Sequence, residues 1–363
     1  MKEKKDKQKS TLKVTPGVAN TSALNPRLEH IIQQKKKPAY SLNYYLDGIR
    51  NGHKVVLSSA ITLLESTKTS DQHLAEAIIA ECLSLANQSI RIGVTGTPGV
   101  GKSTFIEAFG NQLLRAEKKL AVLAVDPSSQ ISGGSILGDK TRMEKLAAHK
   151  DVFIRPSPAK SSLGGVARKT RETIILCEAA GYDTILIETV GVGQSEILVH
   201  SMVDFFLLLL LPGSGDELQG IKRGIVEMAD LVVVNKADGE REKLAQHTKK
   251  DYRNALHLFP PKSNKWEVKV LTCSALKRTG IDTIWETVEA YLKLVRSNGS
   301  FTENRYNQTK FWLKNTIKEG LITAFYQNES IKNQLLKIEK AVLNNELSPF
   351  LGAEMLLKIF KEN

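Results

Sequence analysis

The residues best suited to chemistry form one run, Gly96-Thr97-Pro98-Gly99-Val100-Gly101-Lys102-Ser103, followed by Thr104. It fits G-x-x-x-x-G-K-[ST] at every fixed position. Glycines let successive backbone N–H groups curl around an anion without a Cβ clash. Lys102 supplies a cation for the β- and γ-phosphates of a nucleotide, and the Ser103 hydroxyl a ligand for Mg2+. A loop of this kind needs a strand before it and a helix after it, whose N-terminus adds its positive end.

Asn235-Lys236-Ala237-Asp238 forms a second constellation. A carboxylate at Asp238 can accept two N–H bonds, from the ring N1 and the exocyclic amine of guanine. Adenine has no such donor pair, so the carboxylate would be left unpaired at a large penalty. Asn235 can bond the base edge or brace the phosphate loop. Ser274-Ala275-Leu276, after the strand at 268–272, resembles the short loop that other GTPases place over the guanine. Glu188, in Glu188-Thr189-Val190-Gly191, puts a carboxylate at a strand tip beside the phosphate loop. There it can hold Mg2+ through water, although most GTPases carry Asp at this position. Asp126, in Asp126-Pro127-Ser128-Ser129, and Asp139, in Gly138-Asp139-Lys140-Thr141-Arg142, are further acids for the metal. Each also suits a helix cap or a turn.

The elements that position these groups follow from apolar patterning. Runs rich in β-branched residues predict strands at 91–95, 120–126, 152–155, 184–188, 205–211, 231–235 and 268–272. Helical patterns lie between them, at 102–117, 166–180, 218–228, 240–258 and 281–295. Continuous apolar strands alternating with helices predict an α/β fold, with a mostly parallel sheet covered on both faces. Residues 41–86 read as helices, the last capped by Ser70 or Asp71, and residues from about 299 return to helical periodicity. The fold class expected is thus a P-loop NTPase with N- and C-terminal helical extensions. Ser297-Asn298-Gly299-Ser300 reads as the linker to the C-terminal part.

Composition excludes several classes. Of 363 residues, 41% are hydrophobic and 25% charged, as in ordinary soluble domains. The net charge is +12, but ten Lys and Arg against three acids fall in the first 40 residues. No aromatic or Gly-rich RNA motif is interleaved there, so a solvated basic tail is expected and no nucleic-acid partner. The charged start lacks the apolar stretch of a secretory signal. Phe205–Leu211 is too short for a membrane helix, which needs about 20 residues. No membrane association and a cytoplasmic location are therefore expected. Cys82, Cys177 and Cys273 form no CxxC pair, which fits a reducing compartment. There is no HExxH and no Ser nucleophile elbow, and the histidines are scattered. His149, His200 and His257 read as ordinary surface residues.

Six blocks in order then carry a resemblance: GVTGTPGVGKST at 93–104, VDPSS at 125–129, GGSILGDKTRM at 133–143, ETVGVGQSE at 188–196, PGSGDELQGIKRG at 212–224, and NKAD at 235–238. Together with YLDGIRNGHKVVLSSAITLLES at 45–66, the chain resembles the MeaB/ArgK/MMAA family of P-loop GTPases over about 45–295. The family also carries the older label of a lysine/arginine/ornithine transport kinase. The resemblance implies a GTP-hydrolysing chaperone of adenosylcobalamin-dependent methylmalonyl-CoA mutase, with a cobalamin adenosyltransferase as a further candidate partner. It implies GTP or GDP on Gly96–Thr104, Mg2+ surrounded by Ser103, Asp126, Asp139 and Glu188, and guanine read by Asp238 beside Ser274–Leu276. It makes 213–223 a switch that senses the partner, with Gln219 and Lys222 as its polar actors. The family usually has Pro-Pro after the Trp that precedes the Ser-Ala loop, whereas Trp266 is followed by Glu267-Val268. The organisation implied is a basic tail at 1–40, a helical region at 41–88, a GTPase domain at 89–297 and a dimerisation arm at 298–363. No residue of these motifs is an evident strong base or arginine finger, so slow intrinsic turnover is expected. Alternatives are a chaperone for another cobalamin-dependent mutase and an ATP-dependent kinase of an amino-acid transport system.

Overall fold

The computed structural model describes residues 40–86, 89–125, 143–156, 163–189, 195–214 and 223–362. The basic tail, Asp126, Asp139, Gln219 and Lys222 lie outside the described residues. From Leu42 onward, α1 (Leu42–Arg50), α2 (Lys54–Glu65) and α3 (Thr69–Cys82) precede β1 (Ile90–Gly96). Then follow α4 (Lys102–Arg115), β2 (Leu120–Val125), α5 (Glu144–Ala147), β3 (Val152–Arg155), α6 (Leu163–Ala179), β4 (Thr184–Thr189), α7 (Ser195–His200) and β5 (Phe205–Leu210). The chain continues through α8 (Arg223–Met228), β6 (Leu231–Val234), α9 (Glu242–Leu256), β7 (Lys269–Thr272) and α10 (Ile281–Ser297). The last helices are α11 (Ser300–Gln327), α12 (Glu329–Leu343) and α13 (Pro349–Glu362).

The seven strands form one parallel sheet in the order β3-β2-β4-β1-β5-β6-β7. β1 sits centrally, with Val94 in register with Glu188 of β4 and Leu207 of β5. The chain order reverses on either side of β1, so the crevice beyond its C-terminal end is where such sheets bind ligands. Both faces are packed, which is why the strands read as unbroken apolar runs. β5 shows it best: all six residues are buried. Phe205, Leu207 and Leu209 pack with Phe105, Phe109 and Trp285 under α4 and α10. Phe206 faces the layer formed by α1, α2, α3 and α6, while Leu208 and Leu210 meet Tyr252 of α9.

Some details depart from the sequence pattern. α3 starts at Thr69, and Asp71 accepts from the Ser66 hydroxyl at 2.7 Å rather than capping the helix. The expected linker at 297–300 is only a two-residue break between α10 and α11, turned by Gly299 at φ 80°. α11 buries Trp312 and Gln308, while Phe311, Leu313, Ile317, Leu321 and Ile322 of its apolar positions stay exposed on this chain.

The acid just before β5 anchors α11. Asp204 accepts the Arg91 amide at 2.9 Å and takes Arg305 of α11 on both oxygens at 2.8 Å. Asp204 is buried and Arg305 half-buried, and Arg305 also donates to Ser89 O at 2.6 Å. Removing one partner of such a pair strands a buried charge. Arg305→Ala should therefore cost about 3 kcal/mol of stability, read as a lowered urea midpoint; an unchanged midpoint would show that the pair contributes nothing.

His200 is not the surface residue expected. It is half-buried, its ring edge-on to Phe206 at 5.5 Å between centroids. Burial lowers its pKa, with Asp230 opposing and Lys262 assisting. The folded pKa lies below the unfolded one, so the unfolded chain binds the proton more readily. The stability contributed by neutral His200 should be present above the ordinary imidazole range and be lost as pH falls through it. Thermal unfolding followed from pH 7.5 to 5 should flatten in His200→Phe relative to the parent.

Candidate nucleotide site

β1 delivers the chain to the 96–101 loop at its buried end. Gly96 holds φ 156°, and a Cβ there would lie 2.6 Å from Leu209 O, a backbone atom that cannot yield. Gly99 and Gly101 take φ 80° and 92°, conformations disfavoured for L side chains. Val100 is buried, whereas Pro98 and Gly99 are exposed at the loop tip. α4 begins at Lys102, so its N–H-bearing end opens onto the loop. Lys102, Ser103 and Thr104 fall in its first turn. Lys102 Nζ donates to Gly96 O at 2.8 Å and Thr97 O at 3.3 Å, which folds the ammonium over the loop.

The tip of β6 carries the second constellation to the same place. Asn235, fully buried, donates from Nδ2 to Val100 O at 2.9 Å. Its Oδ1 accepts from Ala275 N at 3.1 Å and from Cys273 Sγ at 3.4 Å. Burial pushes the Cys273 thiol up to about 12, so it stays a donor. Of the two roles open to Asn235, the geometry selects the brace: one side chain ties the phosphate loop to the 274–276 loop. Lys236, at φ 59°, adds a second tie from Nζ to Gly99 O at 2.7 Å. Asp238 accepts from the Ser274 hydroxyl, which in turn accepts from Lys277 N at 3.1 Å. Ala275 is buried, whereas Leu276 is 79% exposed. A hairpin-like bridge between Ser274 and Thr279 shapes this loop. Gly280 closes it at φ 73°, where a Cβ would lie 2.7 Å from Thr272 O.

Glu188 is buried near the end of β4. The Thr189 hydroxyl donates to Thr95 Oγ1 at 2.8 Å, which pins the tip of β4 to that of β1 beside the phosphate loop. Ser103 and Glu188 offer a hydroxyl and a carboxylate, hard oxygen donors that suit Mg2+. Among the described residues no group of three or more His, Cys, Asp or Glu stands ready to hold a metal. An ion that keeps waters and phosphate oxygens in its shell requires no such cage.

The structure thus brings together Gly96–Thr104, Glu188, Asn235, Lys236, Asp238 and Ser274–Leu276. Three contributors were not singled out from sequence: the Thr95–Thr189 hydroxyl pair, Cys273 and Gly280. Gly280 alone had a local signal, a glycine just before a helical pattern.

Comparison with known proteins agrees with this geometry. The family described as "Methylmalonyl Co-A mutase-associated GTPase MeaB" matches residues 57–330. The chain is 47% identical over 324 residues to the "Methylmalonic aciduria type A homolog, mitochondrial" of Mus musculus, covering 86% of this chain and 78% of that one. It is 44% identical over 308 residues to "GTPase ArgK" of Escherichia coli strain K12, covering 85% and 93%. A solved structure titled "Crystal structure of LAO/AO transport system kinase" superposes with a TM-score of 0.71 at 38% identity, covering 88% of this chain and 97% of that one. No helix among the described residues is long and apolar enough to cross a membrane. The parallel sheet, the strand–loop–helix at Gly96–Thr104 and these matches make the chain a P-loop GTPase of the MeaB family.

Proposed function

We propose that the chain uses its GTPase cycle to gate adenosylcobalamin loading into methylmalonyl-CoA mutase and to protect the loaded enzyme. The observation that carries the nucleotide half is the Asn235 brace, which makes the phosphate loop and the base-side loop one unit. The names of the family and of the mouse relative support the mutase half. In this reading Gly96–Thr104 wrap the phosphates and Asp238 reads guanine with Ser274–Leu276 alongside. Ser103 and Glu188, with Asp126 and Asp139, would hold Mg2+, which would neutralise charge on the β- and γ-phosphates. Lys102 leaves the loop carbonyls for the γ-phosphate, where it meets charge developing as water attacks. The 213–223 segment, with Gln219 and Lys222, senses the mutase. Residues beyond about 300 pair two copies: exposed Leu313, Ile317, Leu321 and Leu336 offer an apolar face of the kind that marks an interface. A cobalamin adenosyltransferase is a further partner in this reading. The buried free thiols suit a reducing compartment, the cytoplasm in this reading.

The test is GTP against ATP hydrolysis, alone and with added methylmalonyl-CoA mutase, followed by capture of the mutase in each nucleotide state. GTP preference with slow turnover that the mutase accelerates is the expected result. Equal use of ATP overturns the base reading and favours the transport-kinase title of the solved structure. Acceleration only by a different cobalamin-dependent mutase moves the proposal to that partner.

A further inference from the structure

Two threonines stand near the ends of β1 and β4, both in fully buried positions. Thr95 comes directly before Gly96 and the phosphate loop, and Thr189 directly after Glu188. The Thr189 hydroxyl donates to Thr95 Oγ1 at 2.8 Å. A buried hydroxyl is costly unless it is bonded, and a bonded pair gains little over an apolar pair of the same shape. Stability therefore gives no reason to prefer this pair to two valines. What the hydroxyls add is direction. A hydrogen bond fixes a separation, whereas apolar contact has no preferred direction.

The bond lies where the ladder between the two strands ends. β1 and β4 are in register up to Val94 and Glu188. Beyond that rung, Thr95 and Gly96 are in register with Leu208 and Leu209 of β5, and Thr189 with Val125 of β2. The hydroxyl pair thus joins the two strand ends past their last shared rung. Side chains alternate across a sheet. Leu186 packs on the α4 side and Ile187 on the α6 side. Glu188 therefore belongs to the α4 side, with the phosphate loop, and Thr189 to the other. One residue faces the site while its neighbour ties the strand down from behind, with a hydroxyl held by the stiff χ1 of a β-branched side chain.

We propose that Thr95 and Thr189 are positioning residues: their bond sets the gap between the phosphate loop and Glu188, and so how tightly Ser103 and Glu188 hold Mg2+ beside the nucleotide. This rests on the reading of those two residues as the metal's donors. Ser103 opens α4 behind the loop that leaves Thr95, and Glu188 precedes Thr189, so each donor is tied to one end of the hydroxyl pair. Partners that hold a metal ligand in place typically change metal affinity by about 10- to 100-fold when they are removed.

The experiment follows release of a fluorescent GDP from the full chain over a range of Mg2+ concentrations. The double variant Thr95→Val/Thr189→Val keeps the shape of the pair and removes the hydrogen bond. It should need roughly tenfold more Mg2+ than the parent for half-maximal slowing of release. Release in EDTA should stay at the parent rate, because the phosphate loop and Lys102 are unaltered. Thr95→Ser/Thr189→Ser keeps both hydroxyls and should return the Mg2+ requirement to that of the parent. If the valine pair does not fold, Thr95→Val alone, which takes away the acceptor, carries the same test. An unchanged Mg2+ requirement in the valine variant overturns the proposal. Faster release in EDTA by the same factor also overturns it, because the pair would then support the phosphate loop as a whole. A parent whose GDP release ignores Mg2+ removes the metal reading itself, and the proposal falls with it.

Discussion

Asp238→Asn should convert the chain from GTP to xanthosine triphosphate. The parent carboxylate has two acceptor oxygens, and Ser274 donates to one of them. Lys277 N already bonds the Ser274 oxygen at 3.1 Å, which leaves the serine proton aimed at Asp238. The new amide therefore turns its carbonyl to Ser274 and its NH2 toward the base. That NH2 faces the exocyclic amine of guanine, donor against donor, and the bond is lost. Xanthine carries a carbonyl at the same ring position and accepts it. Sites built on such bonds discriminate strongly, so kcat/KM for GTP should fall on the order of 10³-fold. Xanthosine triphosphate should recover to within about tenfold of the parent on GTP. Steady-state hydrolysis of both nucleotides checks this. Unchanged GTP use in the variant would falsify the assignment of Asp238, and loss of both nucleotides would mean that the loop no longer folds.

The reason Asp238 was legible at all is that its partner is a base with a fixed edge, so residue type and strand position were enough. The strands were legible for a similar reason. Burial on both faces forces unbroken apolar runs such as Phe205–Leu210 and Leu231–Val234, and those runs stand out in one dimension. What pairs with what across the fold was not legible. Asn235 had two plausible roles until its Nδ2 was seen on Val100 O, 135 residues away. Arg305 finds Asp204 across 101 residues, and nothing local announces it. The apolar positions of α11 have helical period, but period does not say whether a face is buried within one chain. Trp312 is buried there, while Leu313, one residue on, is 64% exposed. Ser195–His200 was missed because six residues give too little periodicity to register.

Lys102→Ala should give the other large loss. In the structure its ammonium lies on Gly96 O and Thr97 O, carbonyls of the loop that it must serve. Those bonds keep the cation over the loop, and once a nucleotide draws it from the carbonyls to the γ-phosphate it is in place before negative charge builds there. Deleting the ammonium removes a charged donor that acts most strongly in the transition state. The turnover number should fall about 10³-fold, as for loss of one preorganised donor or somewhat more. Lys102→Arg should not restore it, because a planar guanidinium cannot replace a compact ammonium in a loop this tight. The fold should hold, since Val100, Phe105 and Phe109 anchor the loop and helix independently of Lys102. Single-turnover hydrolysis beside binding of a fluorescent GDP separates the two effects. A large loss in rate with a smaller loss in binding is the signature of a residue used on the γ-phosphate. Equal losses in both would make Lys102 a ground-state anchor, and parent-like hydrolysis would remove the phosphate loop from the chemistry.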